Sequence, residues 1–530
     1  MAKITLNDIT TEFRGQAQIN NNFTSIENEF QNKVLYRNNP GNEANSMQNH
    51  LDMNGFNLLN VGNPTALGIS NATAVNIPYE NSATGAVAVT VQSKLSEFLS
   101  VKDFGAVGNG STDDTVAIQA AFDAAEDRVL LFPKGTYLCG AVTISKQVRA
   151  VGEGADATYI KASGAAINLW SITTTARVDV ENMTFSPAVT NTKQTAAAYI
   201  KYEPTSGYNF GSRIRNCVFA YSYRGVQFVK AATWSIEDCY FAWYRYAVEV
   251  ANTDTPDAGD STIRANVFDA GDATGDAVRQ LSSGGLRIIN NKILNGNYGY
   301  VGEFNSNPSM TSILLIQGNS IEWPATAGIA LNGTSSTTFG MVIMEGNQLS
   351  VPASGIGFIL SDPGYDYLDS VNISDNLFNL GNSAVGVNLA RGARITMLPN
   401  TFYGNGTNET AVTIGGNVDS VVFYPQVALD CTTGLGGVLT NVTFYAGLSQ
   451  SGSVSATASA AYASLYTTAL QNVTFPLAFP VTPKVQATVN SKTGGGLSAS
   501  VYDISAGGFN IVMFGITSGG VVNANWFATI

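Results

Sequence analysis

Apolar positions recur through the middle of the chain in a six-residue template that begins and ends with an apolar residue. Nine segments fit this template, and their first residues, from 180 to 397, lie 22 to 34 residues apart. They are VENMTF, IRNCVF, IEDCYF, IRANVF, IINNKI, IQGNSI, MEGNQL, ISDNLF and MLPNTF. A repeat of this length is typical of one coil of a parallel β-helix with loops of variable size.

The fourth position of the template forms a column of its own. Its members are Met183, Cys217, Cys239, Asn266, Asn291, Asn319, Asn347, Asn376 and Asn400. Successive coils lie ~4.8 Å apart, so inward-facing amides can hydrogen-bond to the amides above and below them. We therefore predict a buried asparagine ladder with a structural role, in which the two cysteines act as small apolar members of the same column.

A second strand follows each template after a short connection, beginning at residues 225, 247, 277, 299, 328, 355, 384 and 411. Alternation along these strands places one set of side chains in the interior, namely Val226, Phe228, Val248, Val250, Ile329 and Leu331. The same alternation turns Gln227, Glu249 and Arg279 outward. Two strands per coil predict an all-β fold, a right-handed parallel β-helix solenoid over residues 101–440.

The start of this region carries a recognisable motif. The string VKDFGAVGNGSTDDTVAIQAAFDAA from residue 101, followed by VLLFPKGTYLCG, resembles the opening of the pectate-lyase-like β-helix of phage tailspikes. The residues themselves predict a helix from Thr115 to Ala125, capped by Asp113 or Asp114. Its apolar side chains, Val116, Ile118, Ala121 and Phe122, would close the open end of the solenoid. A catalytic role for the two aspartates is the alternative.

The segment before residue 101 suggests attachment and assembly. An apolar stripe at Ile19, Phe23, Ile26, Phe30 and Val34 predicts a helix, either a short coiled coil or a plain amphipathic one. The string LDMNGFNLLNVGNP from residue 51 resembles the virion-anchoring element of phage tail fibres and spikes. We expect a virion-attachment segment at 1–75 and a trimerising neck helix at 76–100, with Leu95, Phe98 and Leu99 on its apolar side.

Residues 440–465 are rich in Gly, Ser, Ala and Thr, a composition typical of a linker. The alternating strings after them, VTFPLAFP, KVQATVNS, SASVYDIS, FNIVMFGI and VNANWFATI, predict a small antiparallel β-sandwich. This end resembles the lectin-like C-terminal domains of some phage fibres and spikes. We therefore expect residues 441–530 to clamp a trimer or to bind sugar.

Bulk composition limits the classes of partner and cofactor that the protein is expected to bind. The 530 residues carry a net charge of −12, which disfavours nucleic acid and anionic membranes. No run of 18 apolar residues and no secretory signal is present, so we expect synthesis in the cytoplasm of the infected bacterium. The four cysteines lack C-x-x-C spacing, and no D-x-D-x-D-G loop occurs, so we expect no metal and no cofactor.

Candidate chemistry concentrates between residues 237 and 323. Hydrolysis of a glycosidic bond needs two carboxyl groups, either ~5 to 5.5 Å or ~6.5 to 9.5 Å apart, which stacked coils can supply. We predict as catalytic the acids Glu249, Asp272, Asp276, Glu303 and Glu322. Aromatic and polar neighbours predicted to bind substrate are Trp243, Tyr244, Arg279, Tyr298, Tyr300 and Trp323, together with Tyr365 and Asp366 of the loop DPGYDYLD.

Each of these residues also has a structural interpretation. Glu249 and Arg279 occupy equivalent positions on neighbouring coils, so they can form an ion pair without any catalytic role. The loop DPGYDYLD can be a solvated turn.

The tailspike resemblance implies a homotrimer in the virion tail, attached to a tail or baseplate protein through its N-terminus. It also implies binding, and cleavage by a carboxylate pair, of a bacterial capsule or O-antigen. A spike that binds the polysaccharide without cutting it is the alternative, because both would use the same kind of groove. A lyase could use Tyr298 or Tyr300 as base. The string GDST from residue 259 is similar to an esterase nucleophile block, but the only histidine, His50, lies far from Ser261 in the sequence.

Overall fold

A computed structural model describes most of the chain. It covers residues 20–26, 75, 77–251, 260–282, 284–303, 313–332, 339–360, 368–424, 426–437, 442–444, 449–462, 465–468, 471–475, 482–489, 498–515 and 521–529. His50, the motif from residue 51, and Tyr365 and Asp366 lie outside these residues.

The chain divides into two compact units, residues 1–91 and 92–530. In the first unit, residues 20–26 are helical, which agrees with part of the predicted stripe. Strand Pro78–Tyr79 pairs antiparallel with Val89–Thr90 in the same unit. Among the described residues, no helix is both long enough and apolar enough to span a membrane.

The second unit contains a parallel β-helix with three faces, which we number in the order in which the chain visits them. Face 1 contains Phe98–Ser100, Arg128–Phe132, Val148–Gly152, Val178–Glu181, Arg213–Arg215, Ser235–Glu237, Ser261–Arg264, Leu286–Ile289, Ile313–Gln317, Phe339–Glu345, Leu368–Ser374 and Val442–Phe444. Face 2 contains Asn109–Asp113, Gly135–Cys139, Thr158–Ala162, Thr184–Ser186, Val218–Ala220, Tyr240–Ala242, Val267–Asp269, Lys292–Leu294, Ser320–Glu322, Gln348–Val351, Leu377–Leu380, Thr401–Tyr403 and Val427–Leu429.

Face 3 contains Val142–Ile144, Trp170–Ile172, Ala198–Tyr202, Arg224–Phe228, Tyr246–Val250, Asp276–Gln280, Tyr298–Gly302, Ala327–Leu331, Ile356–Leu360 and Thr433–Gly437. The long strands Val385–Met397 and Thr410–Phe423 run through both face 3 and face 1. Strands Asn209–Phe210 and Ala231–Ala232 pair separately between these two faces. The solenoid is therefore confirmed, but the prediction of two strands per coil is wrong, because each full coil has three.

The difference arises because the six-residue template turns a corner. Its third residue takes the left-handed conformation in several coils, with φ of 61° at Asn182, 55° at Asn290 and 54° at Asp375. Asn, Asp and Gly tolerate this conformation better than other residues. The template therefore ends a face 1 strand, bends, and begins a face 2 strand.

The asparagine ladder lies directly after this corner and is confirmed. Each side-chain Nδ2 from Asn266 to Asn376 donates to the Oδ1 of the next asparagine at 2.9 to 3.0 Å. The backbone N–H of each donates to the same oxygen. Gln426, which the template missed, accepts from Asn400 at 3.0 Å and extends the column by one coil.

Aromatic stacking continues the same regularity in the core. Phe185, Phe219, Phe241 and Phe268 occupy equivalent inward positions of face 2, with neighbouring ring centroids 4.7 to 5.1 Å apart. The four cysteines are free and buried.

The start of the solenoid contains two short helical segments, Val91–Leu95 and the 3₁₀ turn Val101–Phe104, before helix Thr115–Ala124. The last helix buries Ile118, Ala121 and Phe122, but the predicted inward residue Val116 is 82% exposed. Asp113 accepts from the Thr115 N–H at 3.0 Å, and Asp114 instead accepts from Val107 and Gly108. The predicted neck helix is found only over Val91–Leu95. Pro78–Tyr79 and Val89–Thr90 are strands, and Phe98 and Leu99 belong to a strand that pairs with Arg128–Phe132.

The C-terminal residues form antiparallel strands Ser449–Tyr462, Leu465–Thr468, Gln471–Thr474, Lys484–Val489, Ser498–Ser505, Gly508–Gly515 and Val521–Thr529. The linker interpretation of residues 440–465 is therefore wrong for most of its length, because Ser449–Tyr462 pairs with Val521–Thr529. Small side chains do not prevent a strand when the backbone finds a full partner. Phe475, Phe509 and Trp526 pack together with ring centroids 5.5 Å apart. The predicted sandwich and trimer remain predictions.

Candidate functional site

The predicted site residues separate into three groups. One group lies on the outer surface of face 3, and a second lies at the corner where face 2 turns into face 3. A third group is buried in the core.

The third group corrects the sequence analysis. Tyr244 and Tyr300 were predicted to bind substrate, but both are buried. The Tyr300 hydroxyl donates to Gln280 Oε1 at 2.8 Å, and burial raises the pKa of Tyr244 well above its usual range. Ser261 is also buried, and its Oγ accepts from the backbone N–H of Trp234. These groups cannot reach a polymer in solvent, so neither Tyr300 as a lyase base nor Ser261 as a nucleophile is supported.

The first group and its hydrogen-bonding partners form what we call the charged face, which consists of Arg224, Gln227, Glu249, Asp276, Arg279 and Glu303. Parallel pairing places Gln227, Glu249 and Arg279 in register on three successive coils. Opposite charges on neighbouring strands, such as those of Glu249 and Arg279, attract across the ~4.8 Å between coils. The sequence therefore builds a continuous chain of ion pairs along face 3.

Glu249 is the centre of this chain. Its carboxylate accepts from Arg224 Nε at 2.6 Å, from Gln227 Nε2 at 2.7 Å and from Arg279 Nη1 at 3.2 Å. The predicted pair with Arg279 is confirmed, but Glu249 is only 1% exposed. A carboxylate that accepts from three donors holds its neighbours in place, and the predicted catalytic role for Glu249 remains a prediction.

Arg279 links Glu249 to a more accessible acid, Glu303. Its Nε and Nη2 donate to Glu303 Oε2 at 2.8 and 2.5 Å, and the Glu303 side chain is 35% exposed. The Tyr246 ring lies beside three guanidinium groups, with centroid distances of 4.3 Å to Arg245, 4.7 Å to Arg279 and 5.6 Å to Arg224. Cation–π contacts of this kind hold the arginines in place.

Asp276 is the first residue of the strand that contains Arg279, and its surroundings differ from those of Glu303. It is buried, and it accepts from Arg245 Nη1 and Asn297 Nδ2, each at 3.0 Å. Burial raises the pKa of Asp276 above its usual range, Arg245 and Asn297 oppose this, and the charge of Glu303 adds to the rise. Tyr298 is in register with Asp276 and half-buried, and burial together with the Asp276 charge raises its pKa too.

The face 2 to face 3 corner holds the remaining predicted residues. Asp272 accepts from Lys193 Nζ at 2.6 Å and from Thr274 Oγ1 at 2.6 Å. Partial burial raises the pKa of Asp272, but these hydrogen bonds outweigh it and lower the pKa overall. The Glu322 side chain is 31% exposed, and Lys292 Nζ lies 3.8 Å from its carboxylate. Trp243 and Trp323 are exposed at this corner.

Sequence reasoning missed Arg224, Arg245, Lys193 and Asn297. Arg224 could have been found, because it stands at the same strand position as Tyr246, Asp276 and Tyr298 in successive coils. Lys193 comes from a loop 79 residues before its partner Asp272, and no local pattern indicates that contact.

A groove of about 260 Å³ lies elsewhere, on face 1 beside Arg128, Arg149 and Arg177. Glu181 and Asp179 already bind the guanidinium groups of Arg149 and Arg177 at 2.9 and 2.6 Å. The groove therefore offers little unpaired charge, and we do not place the site there. Among the described residues, no three metal-ligating side chains cluster.

A first prediction concerns the buried ion pairs of Glu249 and the stability of the variant Glu249→Gln. It leaves Arg224 and Arg279 without their shared charge, so we expect a loss of about 2 to 3 kcal/mol in the free energy of unfolding. Denaturant titration measures this loss. The matched control is Glu126→Gln, whose exposed pair with Lys146 at 3.1 Å should contribute less than about 1 kcal/mol. Equal losses in the two variants would show that burial of Glu249 adds nothing.

Comparison with known proteins agrees with the fold. A family model described as "Rhamnogalacturonase A/epimerase, pectate lyase-like" matches residues 98–300, and a "Right handed beta helix region" matches residues 224–423. These matches support the resemblance stated from the sequence and the predicted right-handed coil.

Similarity to individual proteins is narrower. Mannuronan C5-epimerase AlgE3 of Azotobacter vinelandii is 46% identical over 72 residues, 12% of this chain and 4% of that protein. A probable glucan endo-1,3-beta-glucosidase of Arthroderma benhamiae is 46% identical over 59 residues, 11% of this chain and 7% of that protein. The chain thus spans less than a tenth of the length of these two relatives.

Among solved structures, a double mutant of the tailspike protein of E. coli bacteriophage HK620 has a TM-score of 0.50 and 14% identity, covering 88% of this chain and 99% of that one. This likeness shows a shared fold.

Proposed function

We propose that this protein is a phage tailspike subunit that binds a bacterial surface polysaccharide and hydrolyses it on the charged face. The observation that carries the proposal is the contrast between two acids on that face. Asp276 is buried with a raised pKa, whereas Glu303 is partly exposed and paired with Arg279. Glycoside hydrolysis uses one protonated and one ionised carboxyl group, and two different environments favour that division of roles.

In the proposed reaction, Asp276 donates its proton to the glycosidic oxygen as the bond from that oxygen to the anomeric carbon breaks. Glu303 acts as the ionised carboxylate, and one water molecule is added across the broken bond. The proton released by that water returns the acid to its starting state. Arg279 holds the Glu303 carboxylate in place, and Tyr298 lies beside Asp276 to contact the sugar.

The remaining parts of the proposal concern assembly. We assign residues 1–75 to attachment to a tail or baseplate protein, and the segments 76–100 and 441–530 to trimerisation. The virion tail is then its location, and a capsule or O-antigen on the host is its ligand.

A binding-only spike is the second candidate, and one observation favours it. All five acids predicted as catalytic already form ion pairs with a lysine or an arginine, and two of them, Glu249 and Asp276, are buried. Elimination is less well supported, because burial raises the pKa of Tyr298 and so makes its phenolate, the form that would take the proton, harder to form.

One assay separates these functions. The pure protein is incubated with a panel of purified bacterial capsules and O-antigens, and polymer length and fragment masses are followed. We expect at least one polymer to be shortened, with the summed mass of the fragments raised by one water for each bond cut. Unsaturated fragment ends would show elimination, and binding of a polymer whose length never changes would establish the binding-only spike.

A further inference from the structure

The corner between faces 2 and 3 carries exposed aromatic side chains in a repeated position. Tyr221, Trp243, Ala270, Asn295 and Trp323 are equivalent residues, because each N–H donates to a carbonyl at the end of the face 2 strand of the next coil, from the last residue or, for Trp323, from the residue before it. The distances are 2.8, 2.9, 3.3, 2.9 and 2.9 Å in that order. The three aromatic residues of this set, Tyr221, Trp243 and Trp323, are called the aromatic corner below.

All three aromatic residues adopt a backbone conformation that does not suit them. Their φ angles are 54°, 54° and 55°, in the left-handed region that favours Gly, Asn and Asp. Asn295, at the same corner position between the two tryptophans, has φ 58° and is a residue type that suits it. The sequence thus places large rings where a small polar residue would fold more easily.

Exposure adds a second unfavourable feature. Trp243 is 41% exposed and Trp323 is 63% exposed, although each presents a large apolar ring to water. The Tyr221 and Trp243 rings stack with centroids 5.8 Å apart and an interplanar angle of 9°. Trp243 also packs on the backbone of Gly271, but neither tryptophan belongs to the core, so a ligand that covers their exposed parts would account for both features.

Polar groups beside the rings indicate the chemistry of that ligand. Asp269 and Asn295 lie on the two coils between Trp243 and Trp323, and Asn295 Nδ2 donates to Asp269 Oδ1 at 3.0 Å. Asp272 and Lys193 form their ion pair in the same corner. Flat apolar surface next to hydrogen-bonding groups fits a sugar ring, which has an apolar face and a rim of hydroxyls.

We infer that the aromatic corner is a second glycan-binding site, separate from the charged face, on which an extended polysaccharide lies along the solenoid axis. Trp243 and Trp323 are three coils apart, ~14 Å at ~4.8 Å per coil, so one chain of several sugars contacts both. The inference rests on the polysaccharide ligand of the proposed function but not on the cleavage reaction.

Tryptophan emission tests this inference directly. The other three tryptophans, Trp170, Trp234 and Trp526, are buried, so a ligand-induced change in emission reports on the two corner residues. The probes are the same purified capsules and O-antigens, titrated into the Glu303→Gln protein so that the polymer stays intact. We expect emission to change with the polymer that binds, and Trp323→Ala to weaken binding about tenfold. Trp323→Tyr should restore most of the affinity.

Two further measurements exclude a structural role. Trp323→Asn should raise the Tm, because Asn suits the left-handed corner, and should weaken binding as Trp323→Ala does. Tyr403→Ala is the matched control, since Tyr403 is an exposed ring of face 2 outside the corner. It should leave affinity and emission unchanged.

Several results would overturn the inference. They are unchanged affinity in both Trp323→Ala and Trp243→Ala, a Tm lowered by Trp323→Asn with affinity intact, or loss of the oligomer in these variants without loss of glycan binding. Polymer cleavage by the unaltered protein with no emission change would leave the proposed function standing and remove the second site. An emission change without cleavage would leave the second site standing and remove the proposed cleavage reaction.

Discussion

Asn319→Ala should lower the free energy of unfolding by about 3 to 5 kcal/mol, because one truncation breaks the asparagine ladder in two directions. The Asn319 amide accepts from the backbone and side chain of Asn291 and donates to Ile288 O and Asn347 Oδ1, at 2.8 to 3.0 Å. Its removal leaves several buried polar groups without partners, and each costs about 1 to 3 kcal/mol. Denaturant titration at fixed protein concentration measures the loss.

The matched control is Asn379→Ala. Asn379 is a half-exposed residue of face 2 whose neighbours Phe378 and Leu380 point inward, so its side chain faces out of the same solenoid. We expect a change within about 0.5 kcal/mol there, as for most surface substitutions. A similar small loss at Asn319 would mean that the buried ladder contributes nothing beyond filling space.

The ladder also shows why the fold could be predicted from the sequence. A solenoid repeats one environment, so the same residue type returns at the same position from Asn266 to Asn400 and the repeat is visible without coordinates. The sequence pattern does not reveal the third strand of each coil, and the reason is local. Faces 1 and 2 meet inside the six-residue template, where one left-handed residue such as Asn290 bends the chain without interrupting its apolar spacing.

The site was only partly predictable, because exposure depends on neighbours that the repeat does not specify. In the sequence, Glu249 and Glu303 look alike. Glu249 lies at an outward position of a face 3 strand, and Glu303 directly follows the end of another. Arg224 and Gln227 cover Glu249 from the preceding coil, whereas Glu303 is contacted by Arg279 and stays partly open. Likewise, Tyr244 directly follows the exposed Trp243 but points into the core, where its ring meets Phe268.

The second large effect concerns catalysis. Asp276→Asn and Glu303→Gln should each lower the rate of polymer cleavage about 10²- to 10⁴-fold, the usual effect of removing an acid or base from its reaction. Both replacements keep the size of the side chain, so we expect polymer affinity to change little. Initial rates of polymer shortening, with binding measured separately, provide the test.

The matched control is Glu237→Gln, which removes an acid of similar kind from face 1, where it pairs with Arg264 at 2.9 Å. It should cut at the unaltered rate. Rates that stay high in both Asp276→Asn and Glu303→Gln would remove the charged face as the catalytic site.

The pH dependence tests the assignment of Asp276 as the acid more closely. Cleavage needs its protonated form, so the rate should fall as pH rises through the raised pKa of Asp276. Arg245 stabilises the ionised form of Asp276 from 3.0 Å, so Arg245→Met should raise this pKa further and move the alkaline fall in rate to higher pH. A fall at unchanged pH in Arg245→Met would mean that another group supplies the proton, because a group out of contact with Arg245 has no reason to respond to its loss.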